Sequence, residues 1–308
     1  MKFLYLQDGH FTLKNSLNRL GDYGQDWLKK WDEILSIAKK NKCEAILDGG
    51  DLLESKNASY SVIDEIADRT EKAEIRVYSL LGNHAMESGH LENSQNTALY
   101  HLQKRSKYFR YLTQIIDTNY KIQEIEYCFG IEEELKNKGL IFDKLYKDRF
   151  KIGIIHALVT PKKFFKNASY VTPEQIKTNA DLVLLAHYHH PFEKKIGKTT
   201  FLNIGCFGRL NINEAKIQPS VLLLDTDKRS WEVIPLKSAK PAKEIFDLSK
   251  YEELKKQEKS IDEFINTLNS TEWVKLDILG QIERFAKENK FGQEVVDYIL
   301  TKVSKEHV

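Results

Sequence analysis

Apolar residues in the first third of the chain alternate between two periodicities. Phe3–Leu6 and Ala45–Leu47 are short continuous apolar runs, and Ile75–Leu81 is a third run rich in apolar residues. Between the first two, Trp27, Leu28, Trp31, Ile34, Leu35 and Ala38 fall on one helical face. Lys29, Lys30, Lys39 and Lys40 lie largely off that stripe and are expected on its solvent side. A second helix is expected around Val62–Thr70. Strand, helix, strand, helix, strand is the rhythm of βαβ units, whose parallel strands are covered on both faces.

Beyond residue 96 the pattern is mixed. Residues 97–114 predict a helix, Lys121–Cys128 an alternating strand, 131–146 another helix and Lys151–Ile155 a strand. Thr172 is placed to cap a helix over Pro173–Thr178, with proline at its first position. Asp181–Ala186 is the next strand. Thr199–Ile204, Ser220–Asp225 and Trp231–Pro235 then follow at short intervals and are expected as antiparallel edges of a second sheet. The fold class predicted is α/β, a sandwich of two mixed sheets flanked by helices. Lys237–Pro241 reads as a linker. After it come a helical stretch Tyr251–Asn269, a strand Trp273–Leu279 and helical segments at 281–290 and 293–303. The expected division is therefore 1–236 for the main domain and 242–308 for a small α/β domain.

Composition adds exclusions. A chain of 308 residues, 41% hydrophobic and 30% charged, is an ordinary globular protein with enough length for a full core. It has no apolar run of about 18 residues, so no membrane span is expected. The first strand begins at Lys2 with no signal-like stretch before it, which makes a cytoplasmic location the expectation. Cys43, Cys128 and Cys206 are scattered without metal-type spacing and fit buried thiols in a reducing compartment. A net charge of +2 neither selects nor excludes nucleic acid. Lysines bunch at 162, 163 and 166 and again at 194, 195 and 198. Each group reads equally as a solvated loop or hairpin and as a surface contacting phosphate.

The candidate chemistry sits where the apolar runs stop. Asp8 and His10 follow the first strand, Asp51 the second, and Asn83 and His84 the third. His156 ends a fourth, and His187 and His189 follow a fifth. One such residue is usually just a polar loop, and a lone turn histidine is more often satisfied locally than functional. Seven ligand-type side chains at the ends of five strands are hard to explain by packing. Asp, Asn and His delivered together suit a site for two metal ions. Alternation predicts that Asp8 and His10 face one way and that His187 and His189 do the same, with His84 aimed away from Asn83. Asp51 begins a loop after two glycines and is preferred over Asp48 as a carboxylate able to bridge two cations.

In order, Asp8-Gly9-His10, Gly50-Asp51, Gly82-Asn83-His84, His156 and His187-Tyr188-His189 resemble the five motifs of the calcineurin-like metallophosphoesterase superfamily. The resemblance spans residues 1 to 235. It implies Asp8, His10, Asp51 and His189 around one metal and Asp51, Asn83, His156 and His187 around a second, with Asp51 shared. It implies His84 as the catalytic histidine beside the phosphate, and two divalent ions, manganese by expectation. Three further stretches resemble the SbcD-type nuclease subunits of double-strand-break repair complexes. They are the Arg19…Asp22 loop, the segment Ile204–Asn211, and Ile234-Pro235-Leu236 leading to a domain with Trp273-Val274-Lys275-Leu276. That resemblance implies a manganese-dependent DNA exo- and endonuclease. It also implies a DNA-capping role for 242–308, an SMC-like ATPase partner and a homodimer formed through helices of the first 110 residues.

The departures are specific. Ala85 stands where an acidic residue commonly follows Gly-Asn-His, so orientation of His84 falls to another group. Glu54 stands where some members carry a histidine near the phosphate, and Ala186 replaces the first glycine of Gly-His-x-His while keeping both ligands. The rival enzyme reading is a stand-alone phosphodiesterase or phosphatase acting on a nucleotide, nucleotide-sugar or phosphoprotein. A third, a scaffold on a decayed phosphoesterase fold, is disfavoured because every ligand position is filled.

Overall fold

The computed structural model describes residues 1–85, 95–112, 122–124, 131–142, 149–162, 169–249, 256, 282, 285–287, 289 and 291–303. Two compact units emerge, Met1–Phe246 and Asp247–Val308.

The first unit is a two-sheet sandwich. One sheet holds β1 (Lys2–Leu6), β2 (Ala45–Asp48), β3 (Arg76–Leu80), β4 (Phe109–Leu112), β10 (Ser220–Asp225) and β11 (Ser230–Pro235), in the order β11-β10-β1-β2-β3-β4. The other holds β5 (Ile122–Glu124), β6 (Ile152–His156), β7 (Leu182–Ala186), β8 (Phe192–Ile196) and β9 (Thr199–Asn203), in the order β5-β6-β7-β9-β8. Strands β1 to β4 run parallel, as do β5, β6, β7 and β9; β10 and β8 pair antiparallel to their neighbours. Both sheets are mixed, as expected.

The period of two decides which face each residue serves. Phe3, Tyr5, Leu47, Ile152, Ile154, Leu182, Leu184, Leu222 and Leu224 form the layer between the sheets. Leu4, Leu6, Ile46, Val183 and Leu185 face outward into the larger core beneath the helices. There α1 (Tyr23–Lys40) lays down Trp27, Trp31, Ile34, Leu35 and Ala38, and α2 (Tyr60–Ala73) adds Val62, Ile63, Ile66 and Ala67. Asp22 caps α1, accepting from the Gln25 N–H at 3.0 Å.

Five expectations need correction. The helix of 97–114 is α3 (Ala98–Arg105), which stops at Ser106; Phe109–Leu112 then extends as β4 and pairs with β3. Strands β10 and β11 join the first sheet, because β10 finds its partner in β1 at the opposite end of the chain. The lysines 194, 195 and 198 lie on a hairpin whose first strand, β8, was not expected. The helix over Pro173–Thr178 is a single 3-10 turn, Pro173–Gln175, closed by a capping box with Thr172. Helix α4 (Ile131–Asn137) is shorter than predicted and is followed by Gly139 at φ +72°.

The stretch read as a linker is held on the first unit. The N–H groups of Lys237 and Ser238 donate to Glu33 at 2.9 and 2.7 Å, and the Leu20 N–H donates at 2.8 Å to the carbonyl of Ile245, the last residue of α5 (Ala242–Ile245). The boundary between units accordingly falls after Phe246. In the second unit, α6 (Gln293–Val303) buries Val296 and Ile299 with Ile282 and Ala286. The expected helix 251–269 (except Lys256), the strand 273–279 and Cys128 lie outside the described residues. Among the described residues no helix is long and apolar enough to cross a membrane.

Candidate metal centre

Parallel pairing of β1 and β2 does not stop where the strands do. The Asp8 N–H donates to the Gly50 carbonyl at 3.1 Å, His10 to Asp51 at 2.8 Å, Phe11 to Leu52 at 2.8 Å, and Glu54 to Phe11 at 3.1 Å. Two loops are thereby zipped side by side at the carboxyl ends of the strands, where α/β sheets place their ligands. Asp8, His10 and Asp51 sit there in the left-handed region, at φ 51°, 49° and 55°, and His187 does so at 79° after β7. Side-chain convergence therefore comes from turn backbone held by these hydrogen bonds, and not from the strand alternation expected from sequence. Asp and His tolerate that region better than most residues.

Two glycines make the convergence possible. A Cβ on Gly82 would land on the Asp51 carboxylate, and one on Gly50, itself at φ +109°, would strike the His156 ring. Asn83 and His84 then follow on one 3-10 turn, Asn83–Ala85, so alternation does not apply to them either.

All eight predicted residues come together. Asp8, His10 and His189 offer ligand atoms within 4.8 Å of one another; so do Asp51, His156 and His187, and so do His10, Asp51 and His84. Asn83 Oδ1 lies 3.3 Å from His156 Nε2. Both Asp8 oxygens accept the His187 N–H at 3.1 Å, and Gln7 Nε2 donates to one of them at 3.0 Å. The Asp51 carboxylate accepts the His84 N–H at 3.0 Å. Asp48 does not join them. It is buried in the core, accepts a hydrogen bond from the Ser79 hydroxyl at 2.5 Å, and burial pushes its pKa well above the carboxylate range.

The ring nitrogens show which charge this arrangement favours. His10 donates through Nδ1 to Glu54 at 2.8 Å and His189 donates through Nδ1 to Glu214 at 2.6 Å. Both Nε2 atoms are then lone-pair acceptors, yet they face each other at 3.1 Å. His156 repeats the pattern: Nδ1 donates to the Gly49 carbonyl at 2.8 Å, and Nε2 meets Asp51 Oδ2 at 3.2 Å and Asn83 Oδ1. Acceptors that crowd acceptors need positive charge between them, either protons or cations. The electrostatics of the buried groups agree. Burial opposes charge on His156, but Asp51 and Asp8 prevail and push its pKa up to about 9. Burial also opposes charge on His189, which its bonds with Cys206 and Glu214 push up to about 12. On His10 burial is likewise outweighed, by Glu54 and Asp51, and the pKa rises. His187 goes the other way, down to about 4, through burial and the nearby charge of His156. Asp51 is held well below the usual carboxylate range, the cost of burial being overcome by His156, His10 and His84. This donor set of two carboxylates, an amide and imidazoles fits hard-to-borderline divalent cations.

Supporting residues emerge that the pattern did not single out. Glu214 orients His189, and Tyr23 and Trp27 on α1 donate to the Gly9 carbonyl at 3.0 and 2.7 Å. Lys30, expected in solvent, is buried and donates to the Phe207 and Gly208 carbonyls. Its signal was spacing: Tyr23, Trp27, Lys30 and Ile34 follow one another by four, three and four residues along a single face.

The model of the calcineurin-like phosphoesterase family matches residues 8–191. The chain belongs to that family. As a calcineurin-like phosphoesterase it is a metal-dependent hydrolase acting on ester bonds. Its relatives include the DNA double-strand break repair protein Mre11 of Methanosarcina acetivorans, 23% identical over 185 residues, which are 56% of this chain and 28% of that protein. The Mre11 of Methanosarcina mazei is 23% identical over 201 residues, 62% of this chain and 31% of the relative. The similarity thus takes in about a third or less of the relatives' length. Among solved structures, a novel archaeal phosphodiesterase aligns with a TM-score of 0.41 at 16% identity, over 77% of this phosphoesterase and 100% of that chain.

Proposed function

We propose that this phosphoesterase is a manganese-dependent DNA nuclease that hydrolyses phosphodiester bonds at a two-cation centre, in DNA end processing for repair or recombination. The observation that carries the reading is the facing pair of ring nitrogens, His10 Nε2 and His189 Nε2, 3.1 Å apart beside two carboxylates. Asp8, His10, Asp51 and His189 are assigned to one cation and Asp51, Asn83, His156 and His187 to the other, with Asp51 shared. When bound, two such cations supply Lewis acidity to a phosphoryl oxygen and lower the pKa of water.

The chain's own residues do the rest. Asp8 and Asp51 are the only carboxylates among the assigned ligands, so two divalent cations would exceed the charge of the groups that hold them directly, which favours a phosphodiester anion at the cations themselves. His84 donates through Nδ1 to the Glu54 carbonyl at 2.9 Å, which leaves Nε2 to meet substrate. There it holds a proton for the leaving oxygen as the catalytic residue. DNA as substrate is supported by similarity to the two Mre11 proteins. From the resemblance to SbcD-type nuclease subunits, the second unit is assigned to capping DNA, with an SMC-like ATPase as partner and a second copy of the chain as dimer mate.

The test is incubation of purified protein with labelled duplex DNA, single-stranded DNA and bis(p-nitrophenyl) phosphate, with manganese or EDTA. Manganese-dependent loss of DNA, abolished by EDTA, is the expected result. Hydrolysis of the small ester with intact DNA in every condition, including added ATPase subunit, would select the stand-alone phosphodiesterase instead.

A further inference from the structure

We infer that Glu54 is a positioning residue that fixes His10 and His84 together, through its side chain and its main chain at once. The inference rests on the reading of His84 as the catalytic residue. Glu54 reaches the site because the zipped loops put it there: its N–H bonds the Phe11 carbonyl at 3.1 Å, one residue beyond His10, and Leu53 bridges Phe11. Its carboxylate accepts a hydrogen bond from Nδ1–H of His10 at 2.8 Å, and its carbonyl accepts one from Nδ1–H of His84 at 2.9 Å. The same carboxylate stands 3.6 Å from His84 Nδ1. The two rings meet edge to face with centroids 4.7 Å apart, so a tilt of one is felt by the other. Ala85, which follows His84, is buried and brings no polar group of its own to the task.

A carboxylate and a carbonyl can only accept. They therefore fix a proton on Nδ1 of both rings, which turns Nε2 of His10 toward the cation as a lone pair and Nε2 of His84 toward substrate, where it carries the proton for the leaving oxygen. Without the carboxylate, His10 is free to carry its proton on Nε2, the form closed to a metal. His84 then loses the ring it leans on.

Glu54→Ala, Glu54→Gln, His84→Ala and the double variant Glu54→Ala/His84→Ala test this in three measurements. Manganese affinity by calorimetry should fall about 10–100-fold in Glu54→Ala. Glu54→Gln keeps an acceptor oxygen and should recover most of that loss. At saturating manganese, kcat on bis(p-nitrophenyl) phosphate should fall in Glu54→Ala, and the double variant should be within about threefold of His84→Ala alone. Nitrogen-15 spectra of the metal-free protein should show His10 protonated at Nδ1 in the wild type and a mixture of forms in Glu54→Ala. Losses that multiply in the double variant, or an unchanged His10 spectrum and manganese affinity in Glu54→Ala, overturn the inference. Should the wild type cleave no diester at all, the nuclease reading fails by itself, and the affinity and the spectra still decide the role of Glu54.

Discussion

Lys30 grips the Phe207 carbonyl at 2.7 Å across 177 residues of sequence, and holds the neighbouring Gly208 carbonyl with the same ammonium group. Helix α1 thus clamps the loop after β9 with Lys30 and the loop after β1 with Tyr23 and Trp27. Burial, then the charges of Arg209 and Arg19, bring Lys30 from 10.5 down to about 7. The unfolded chain keeps this proton up to about pH 10.5, whereas the fold releases it near 7. Between those limits the unfolded state binds more protons, so the contribution of Lys30 to stability rises with pH. The free energy of urea unfolding of the wild type, minus that of Lys30→Met, should be level below about pH 6 and climb from about 7 to 10. A flat or falling difference across that window contradicts the assignment.

Metal loading should expel protons. At pH 7.5 the metal-free site holds protons on His156 and His189, whose pKa values are about 9 and about 12. A divalent cation can take those nitrogens only as the protons leave. Manganese titrated calorimetrically in Tris and in PIPES should give enthalpies that differ with the buffers' ionisation heats, in the sense of proton release. Identical heats in both buffers would argue that these histidines take no part.

His84 and Asp51 should separate cleanly. His84→Ala is expected to keep its metal and lose about 10²–10⁴-fold in turnover. Asp51→Ala should bind fewer ions than the wild type by elemental analysis and show none of the rise in melting temperature expected for the wild type with manganese. Full metal content in Asp51→Ala would remove it from the shared position.

A methyl group is enough to spoil the site. Gly82→Ala places a Cβ on the Asp51 carboxylate and backbone nitrogen. It should cost about 1–3 kcal/mol in stability and abolish metal uptake. Gly292→Ala, where nothing lies within 4 Å of the added carbon, is the control and should change neither. Thermal unfolding and elemental analysis of the two variants make the comparison.

What the sequence made legible follows from locality. Strands such as Ala45–Asp48 and Leu182–Ala186 are buried at every position, so they read as unbroken apolar runs, and the metal-type residues announce themselves by ending those runs. Strand β4 was hidden because Phe109–Leu112 continues the apolar spacing of α3, with only Ser106 to mark the break. Strand β8 was hidden because an edge strand carrying Lys194 and Lys195 has little apolar signal. The pairing of β10 with β1 is a contact between chain ends, which no local period encodes. In the site, Glu214 and Lys30 escaped notice because each works only through a partner far away in sequence, His189 and the Phe207–Gly208 loop.

Asp8, His10, Asp51, Asn83 and His84 come from the first sheet, whereas His156, His187 and His189 come from the second. Among the described residues, every grouping able to hold an ion with His156, His187 or His189 therefore straddles the seam of the sandwich, except the set of His189 with Cys206 and Glu214. A slip of one sheet along the other by a single residue, about 3.4 Å, would break the site while leaving both hydrogen-bond ladders whole. Metal binding in this protein is thus a gauge of sheet alignment. A chain with native secondary structure but a misaligned seam would look folded by circular dichroism and remain blind to manganese.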